Sequence, residues 1–169
     1  RFVWIWIGER DKADPALIPD LWPCSAPGWT FDGGYSAIAS DYRLMIDNLM
    51  DLTHETYVHS GSIGQPEIME APIETRVVDG AVSVSRWMPG VDAPPFWRGA
   101  LKQGGKVDRW QVCQFVLPAV VMIDVGVAPV GATPRAFTAI PARRSTYSRP
   151  SVSQTRDPLP RTSIIGGVP

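Results

Sequence analysis

Two histidines five residues apart are the residues of this sequence best suited to chemistry. His54 and His59 are the only imidazoles in the chain, and both follow the acids Asp47 and Asp51. At about 100° per residue around a helix, Asp47, Asp51 and His54 share one stripe of a segment that is otherwise mostly apolar. The pattern predicts a largely buried helix, and acids and imidazoles are seldom buried without a partner or a metal.

The spacing of the histidines decides what geometry a shared metal ion requires. On a continuous helix a five-residue step separates the rings by about 140°, whereas the four-residue step of HExxH keeps them on one face. We therefore expect the helix over residues 41–60 to end or kink between His54 and His59, where residues 56–58 are weak helix formers. Two imidazoles with a carboxylate would suit Fe(II), and a third nitrogen or a thiolate would suit zinc. From spacing alone, one capped and one surface histidine remain an open alternative.

The residues around the histidines carry a more specific signal. The string DNLMDLTHETYVH, at residues 47–59, resembles the mononuclear iron motif of the Rieske non-haem iron aromatic-ring oxygenases. In that family an acid or Asn precedes the pattern Asp-x2-His-x4-His. The likeness extends from FVWIWIGE through PPFWR and VDRWQVCQF to MIDVGVA, and it is closest to the members that remove O-methyl groups.

The resemblance implies a role for each polar residue of this motif. His54 and His59 would be the two histidine ligands of a mononuclear Fe(II), and Asn48 would be the polar residue beside the iron. Asp51 would be the bridging aspartate that carries electrons from the Rieske cluster of a neighbouring subunit. Asp47 would hold the family's first acidic position, from which a carboxylate can orient a histidine ligand.

The resemblance also implies the fold, reaction and partners of the intact enzyme. The fold would be α+β, a helix-grip (START-like) catalytic domain in which a curved antiparallel sheet wraps around helices. A reductase component would pass electrons from NAD(P)H through flavin to a 2Fe–2S Rieske cluster. With O2, the iron centre would hydroxylate the methoxy carbon of an aromatic acid, and formaldehyde would be released. The intact protein would be a trimer-like homo-oligomer.

Parts of such an enzyme have no match in this sequence. A Rieske cluster needs two cysteines and two histidines, whereas Cys24 and Cys113 are isolated and both histidines are already assigned. We therefore expect that the N-terminal Rieske domain is absent, that the catalytic domain is incomplete at both ends, and that this chain alone is inactive. The family's third iron ligand is an aspartate on a later helix. Asp157 is a poor candidate for it, because it precedes a proline in a Pro-rich stretch.

Composition changes near residue 132. Residues 1–131 carry a net negative charge, and we interpret them as one partial catalytic domain. Residues 132–169 hold six arginines against the single acid Asp157, together with six prolines. That composition predicts a disordered arm. A frame-shifted reading is the other hypothesis, because shifted codons would permit strands like those the family has here.

Alternation of apolar residues predicts the elements that must position the histidines. The pattern predicts strands at residues 2–7, 73–78, 81–87, 108–117 and 119–128. Asp79 and Gly80 form a tight-turn signal between two of them, so we expect a hairpin. Prolines predict an irregular connector at residues 9–34 and an irregular segment at residues 89–99. Antiparallel strands on both sides of an internal helix favour an α+β domain.

Charge and hydropathy narrow the remaining classes of function. The formal net charge of −1 gives no indication of nucleic-acid binding. No apolar run approaches the 18 or so residues of a membrane span, so we expect a cytoplasmic protein with free, buried thiols. Three alternatives stay open: a metal-independent helix-grip module that binds a hydrophobic ligand, an inactive remnant of the oxygenase, and a zinc hydrolase with Glu55 as base. Glu55 lies about 100° from His54 on a helix, which disfavours the last.

Overall fold

The structure is a computed structural model that describes residues 2–30, 32–78, 81–99, 101, 105–132 and 162–167. The chain divides into two compact units, residues 1–38 and residues 39–169. The partial catalytic domain expected over residues 1–131 stays a prediction. No helix in the described part of the chain is long and apolar enough to span a membrane.

The first unit contains short turns of 3-10 helix, at Arg10–Lys12, Pro15–Leu17 and Trp22–Cys24. They lie within the connector predicted at residues 9–34, which is confirmed as a segment of turns. The strand predicted at residues 2–7 is wrong, since these residues are exposed and lie outside any strand, with Ile7 95% exposed. A strand needs a neighbouring strand to pair with its backbone N–H and C=O groups. The described residues of this unit form no strand that could be that neighbour.

The second unit contains helices and one antiparallel sheet. Its described helices are α1 (Tyr42–Met50), α2 (Glu55–Val58), α3 (Glu67–Glu70) and α4 (Pro95–Arg98). Its strands are β1 (Ile73–Val78), β2 (Ala81–Asp92), β3 (Lys106–Val116), β4 (Val120–Pro129) and β5 (Thr162–Gly167). The strands lie in sequence order and each is antiparallel to the next. The predicted α+β class with an antiparallel sheet is confirmed.

The β1–β2 hairpin is confirmed, because Val78 pairs directly with Ala81. The two predicted turn residues lie outside the described residues. Strand β2 then continues to Asp92, so the irregular segment predicted at residues 89–99 is wrong in its first part. A bulge between Met88 and Val91 accounts for the difference, since proline lacks an N–H and is tolerated where ladder pairing is interrupted.

Strands β3 and β4 pair from Val107 and Pro129 to Val116 and Val120, on either side of the predicted Pro118 turn. Beyond them β5 pairs with β4. Composition predicted disorder for residues 132–169, whereas residues 162–167 of that segment form a strand. The backbone groups along the outer edge of β4 offer hydrogen bonds that composition does not report. Residues 133–161 lie outside the described residues, so both hypotheses for the tail stay predictions there.

A hydrophobic cluster lies between the sheet and the segment that follows β2. It consists of Ala93, Trp97, Val107 and Val127. Helix α1 lies near β3 and β4, and α3 lies near β2. Cys113 of β3 is buried and Cys24 is half-buried, and both are free thiols. Helices α1 and α3 therefore lie close to the central strands of the sheet.

Candidate metal centre

The segment predicted as one helix over residues 41–60 is two helices. The carboxylate of Asp41 accepts a hydrogen bond from the backbone N–H of Arg43 and starts α1, which ends where Asp51 becomes extended. The carboxylate of Asp51 accepts hydrogen bonds from the N–H and hydroxyl of Thr53, at 2.7 and 2.6 Å. This local turn competes with the helix and ends it. The predicted burial of the helix is also wrong, because α1 has no buried residue.

One break falls before His54, where α1 ends at Met50, and the sequence did not predict it. Helix α2 then ends at Val58, between the histidines, as the sequence predicted. Helix α2 is a single turn, with His54 at its N-terminal cap and His59 at its C-terminal cap. Residues 56–58, which were expected to interrupt the helix, form that turn. The backbone of His59 leaves the helical conformation, with φ −116° and ψ 28°. His54 and His59 therefore lie at the two ends of one helical turn.

The two imidazole rings lie beside each other. Their centroids are 5.4 Å apart and their planes meet at 66°. A ring nitrogen that binds a metal at about 2.1 Å places the ring centroid about 3.2 Å from the ion, so two rings on one ion have centroids about 4.5–5.5 Å apart. The observed separation of the His54 and His59 rings fits a shared ion.

His54 also has a buried nitrogen without a hydrogen-bond partner. Its Nδ1 atom lies 3.7 Å from Oδ2 of Asp51, which is close enough for electrostatic attraction and too far for a hydrogen bond. The hydrogen bonds from Thr53 hold the pKa of Asp51 below its usual range, and the charge of His54 acts in the same direction. Asp51 is therefore an anion at neutral pH. A carboxylate fixed beside an imidazole is the arrangement that orients a metal-binding histidine.

The other two acid and amide positions of the motif lie elsewhere. Asp47 and Asn48 are exposed on α1, and the described structure shows neither of them bonded to His54 or His59. The backbone carbonyl of Asp47 accepts the N–H of Asp51, which is a helix hydrogen bond. Within the described ranges, no group of three or more His, Cys, Asp or Glu residues is arranged to hold a metal. The candidate centre therefore consists of two imidazoles with Asp51 beside one of them.

Sequence reasoning missed a buried polar cluster beneath the histidines' turn. Glu55, the residue after His54, is 8% exposed and accepts a hydrogen bond from Nε2 of Gln111. Nη2 of Arg109 lies 3.6 Å from the same carboxylate oxygen, and Nη1 of Arg109 donates to Oε1 of Gln65 at 2.8 Å. The signal available in the sequence was the pair Arg109 and Gln111, two polar residues in an otherwise apolar strand. Residues two apart share one face of a strand, so this pair indicates a polar contact on one face of β3.

A second arginine holds the segment that precedes the turn. Nη1 of Arg86, on β2, donates to the backbone carbonyl of Leu52 at 3.1 Å. Burial lowers the pKa of Arg86, and the charges of Glu55 and Asp51 oppose that effect. The sheet therefore contacts the chain on both sides of His54.

A cleft of about 240 Å³ lies between residues 64–67 and the segment that includes Asp92 and Arg98. Glu67 and the two charged residues of that segment line it. Such a lining differs from the apolar cavity that a hydrophobic-ligand module would need. The cleft adds no support to that alternative.

The antiparallel sheet belongs to a known class of fold. The structure matches the crystal structure of dicamba monooxygenase bound to 3,6-dichlorosalicylic acid, with a TM-score of 0.70 and 31% sequence identity. The match covers 79% of this chain and 40% of that chain. The fold is that of a Rieske oxygenase catalytic domain, and the helix-grip expectation is confirmed.

Sequence comparison defines the family. Residues 38–147 match the model of the vanillate O-demethylase oxygenase C-terminal domain, and the chain belongs to that family. It is 58% identical over 135 residues to the vanillate O-demethylase oxygenase subunit of Pseudomonas sp. strain HR199, covering 77% of this chain and 38% of that protein. It is 35% identical over 134 residues to the toluene-4-sulfonate monooxygenase system iron-sulfur subunit TsaM1 of Comamonas testosteroni, covering 78% of this chain and 39% of that protein. The chain thus spans about two fifths of the length of these relatives.

Proposed function

We propose that this chain is the metal-binding part of the oxygenase component of an aromatic O-demethylase. Its reaction is the O2-dependent demethylation of a methoxylated aromatic acid of the vanillate type at a non-haem Fe(II). Membership of the vanillate O-demethylase family supports this function, and so does the identity of 58% to a subunit of that name. The observation that carries the proposal is the 5.4 Å separation of the two imidazole rings.

His54 and His59 hold the Fe(II) in this proposal, and the bound iron supplies the activation of O2. Asp51 orients His54, because its carboxylate faces Nδ1 and leaves the other ring nitrogen free for the metal. Thr53 fixes that carboxylate through two hydrogen bonds. The side chain of Asp51 is 45% exposed, which supports a contact with a neighbouring subunit that supplies electrons. Two further roles are supported by motif position alone: Asn48 lies beside the iron, and Asp47 is a second acid that orients a histidine.

The electrons come from partners in this proposal. A reductase component transfers them from NAD(P)H through flavin to a 2Fe–2S Rieske cluster in a separate domain of the oxygenase. Names such as oxygenase subunit and iron-sulfur subunit among the relatives support a system of several components. A trimer-like homo-oligomer would bring the Rieske cluster of one subunit to Asp51 of the next.

Metal titration tests the proposal directly. Under anaerobic conditions the chain should bind a single Fe(II), and His54→Ala or His59→Ala should each raise the dissociation constant by about tenfold or more, because each removes one of two imidazole ligands. Val58→Ala is the matched control, since Val58 lies in the same turn and its side chain is 68% exposed. Calorimetry measures the affinity, and circular dichroism measures the fold of each variant. Equal Fe(II) affinity in the wild-type protein and His54→Ala would remove the metal function.

A further inference from the structure

Helix α2 is too short to hold two metal ligands by itself. It has one turn, and the two histidines are its cap residues. An isolated turn of helix is unstable in water, so contacts from elsewhere must keep His54 and His59 at their observed separation.

One buried guanidinium contacts the chain on both sides of the turn. Nη2 of Arg109 lies 3.6 Å from the carboxylate of Glu55, which is the residue after His54. Nη1 of Arg109 donates to Gln65, in the loop that follows His59. Arg109 is 2% exposed. Burial lowers the pKa of Arg109 to about 10, with Glu55 opposing the effect, so the side chain stays cationic at neutral pH.

The loop that Arg109 holds is itself bonded to the second histidine. The N–H of Gly64 donates to the carbonyl of His59 at 2.8 Å, and Gly64 precedes Gln65. Glu55 is in turn fixed by Gln111, the neighbour of Arg109 on the same face of β3. The planar guanidinium, with donors pointing in fixed directions, can bridge both groups, whereas a lysine ammonium cannot reproduce that geometry.

We propose that Arg109 is a positioning residue that sets the separation of the two imidazole rings by joining Glu55, after His54, to Gln65, after His59. This inference rests on the proposed metal function, and it concerns residues outside the metal-binding motif. Arg109 does not touch the ion. It acts through Glu55 and Gln65 on the positions of the ligands.

The test must separate positioning from folding. Arg109→Met alone would remove the ion-pair partner of the buried Glu55 carboxylate and destabilise the chain. The double variant Arg109→Met/Glu55→Gln removes both charges together, and such replacements are often close to neutral in stability. Its matched control is Arg76→Met/Glu74→Gln, a surface pair on β1 with an N···O distance of 2.6 Å and exposed side chains.

Two measurements are made on the wild-type protein and both double variants. Anaerobic calorimetry gives the Fe(II) dissociation constant, which should rise by about 10–100-fold in Arg109→Met/Glu55→Gln and stay unchanged in the control. NMR of metal-free protein labelled with 13C- and 15N-histidine gives the separation of the rings, because the chain has only two histidines. Nuclear Overhauser contacts between the rings should be present in the wild-type protein and the control, and lost in the Arg109 variant.

The outcomes separate the two proposals. A folded Arg109→Met/Glu55→Gln variant that keeps the ring contacts would overturn the positioning role, whether or not the protein binds iron. Unchanged Fe(II) affinity in that variant would overturn it as well. Wild-type protein that keeps the ring contacts and binds no Fe(II) would overturn the metal function, and the NMR comparison would still decide the role of Arg109.

Discussion

Gly64→Ala is the substitution whose effect on the metal turn the structure predicts in most detail. A Cβ atom at Gly64 would lie 2.7 Å from the carbonyl oxygen of Glu55, 2.8 Å from Cα of Ser60 and 3.0 Å from the carbonyl carbon of His59. Ordinary contacts begin near 3.4 Å, and all three of these atoms belong to the backbone. The turn or the loop would therefore have to move by several tenths of an ångström.

The magnitude follows from the cost of overpacking. Forcing extra atoms into a packed site costs about 1–3 kcal/mol of folding free energy. Gly61 offers a matched control in the same loop, because a Cβ there would meet nothing within 4 Å and the residue is exposed. Gly61→Ala should be neutral or stabilise by up to about 1 kcal/mol, since alanine restricts the unfolded chain. Neither glycine has a left-handed φ, so backbone strain does not confuse the comparison.

Urea unfolding followed by tryptophan fluorescence measures the two free energies, and anaerobic calorimetry measures the affinity for Fe(II). We expect Gly64→Ala to unfold at a lower urea concentration than Gly61→Ala. We also expect it to bind Fe(II) about tenfold more weakly, because the displaced backbone includes that of His59. Equal midpoints for the two variants would refute the inferred close approach. A lower midpoint with unchanged affinity would show that the loop does not position His59.

Two further predictions concern the sheet. A Cβ at Gly126 would lie 2.6 Å from Cη2 of Trp110. The Trp110 ring is buried and donates a hydrogen bond to Asp124, so it cannot move away. Gly126→Ala should therefore lower the free energy of unfolding in urea by about 1–3 kcal/mol. Gly99→Ala, with open space at the added methyl, is the control, and equal costs would contradict the argument. Burial raises the pKa of the Cys113 thiol from 9.0 to about 12. A pKa raised by folding contributes stability that is complete below the unfolded-state value and is lost as the pH rises through the folded-state value. The urea concentration at the unfolding midpoint should therefore decrease as the pH rises from about 9 to about 11 in the wild-type protein, and it should decrease less in Cys113→Ala. An equal decrease in both proteins would exclude the thiol as the cause.

Local signals predicted most of the sheet. The β1 strand at residues 73–78 and the β3–β4 pair around Pro118 follow from alternation and turn residues, which act between near neighbours in sequence. The same signals failed at residues 2–7, where the pattern of a strand is present and the described unit offers no partner strand. Alternation reports a preference of the chain, and pairing needs a second strand.

The histidine pair was predictable as a motif, and its geometry was not. The types and spacing of Asp51, His54 and His59 indicated a metal site and its family. A further break, which the spacing did not predict, falls before His54, because the Asp51 carboxylate accepts hydrogen bonds from Thr53 there. Sequence spacing cannot decide which of two nearby positions ends a helix, since the local hydrogen bonds that compete with the helix differ little in energy.

The sequence by itself determined which side chains are available for chemistry at this turn and, through its motif, which family the domain joins. Only the tertiary structure decided that Arg109 and Gln111 hold Glu55 beneath the two histidines. The physical reason is distance along the chain, because Glu55 meets Gln111 across 56 residues and Gln65 meets Arg109 across 44. Whether a charged side chain can be buried depends on partners that only the folded sheet brings within reach.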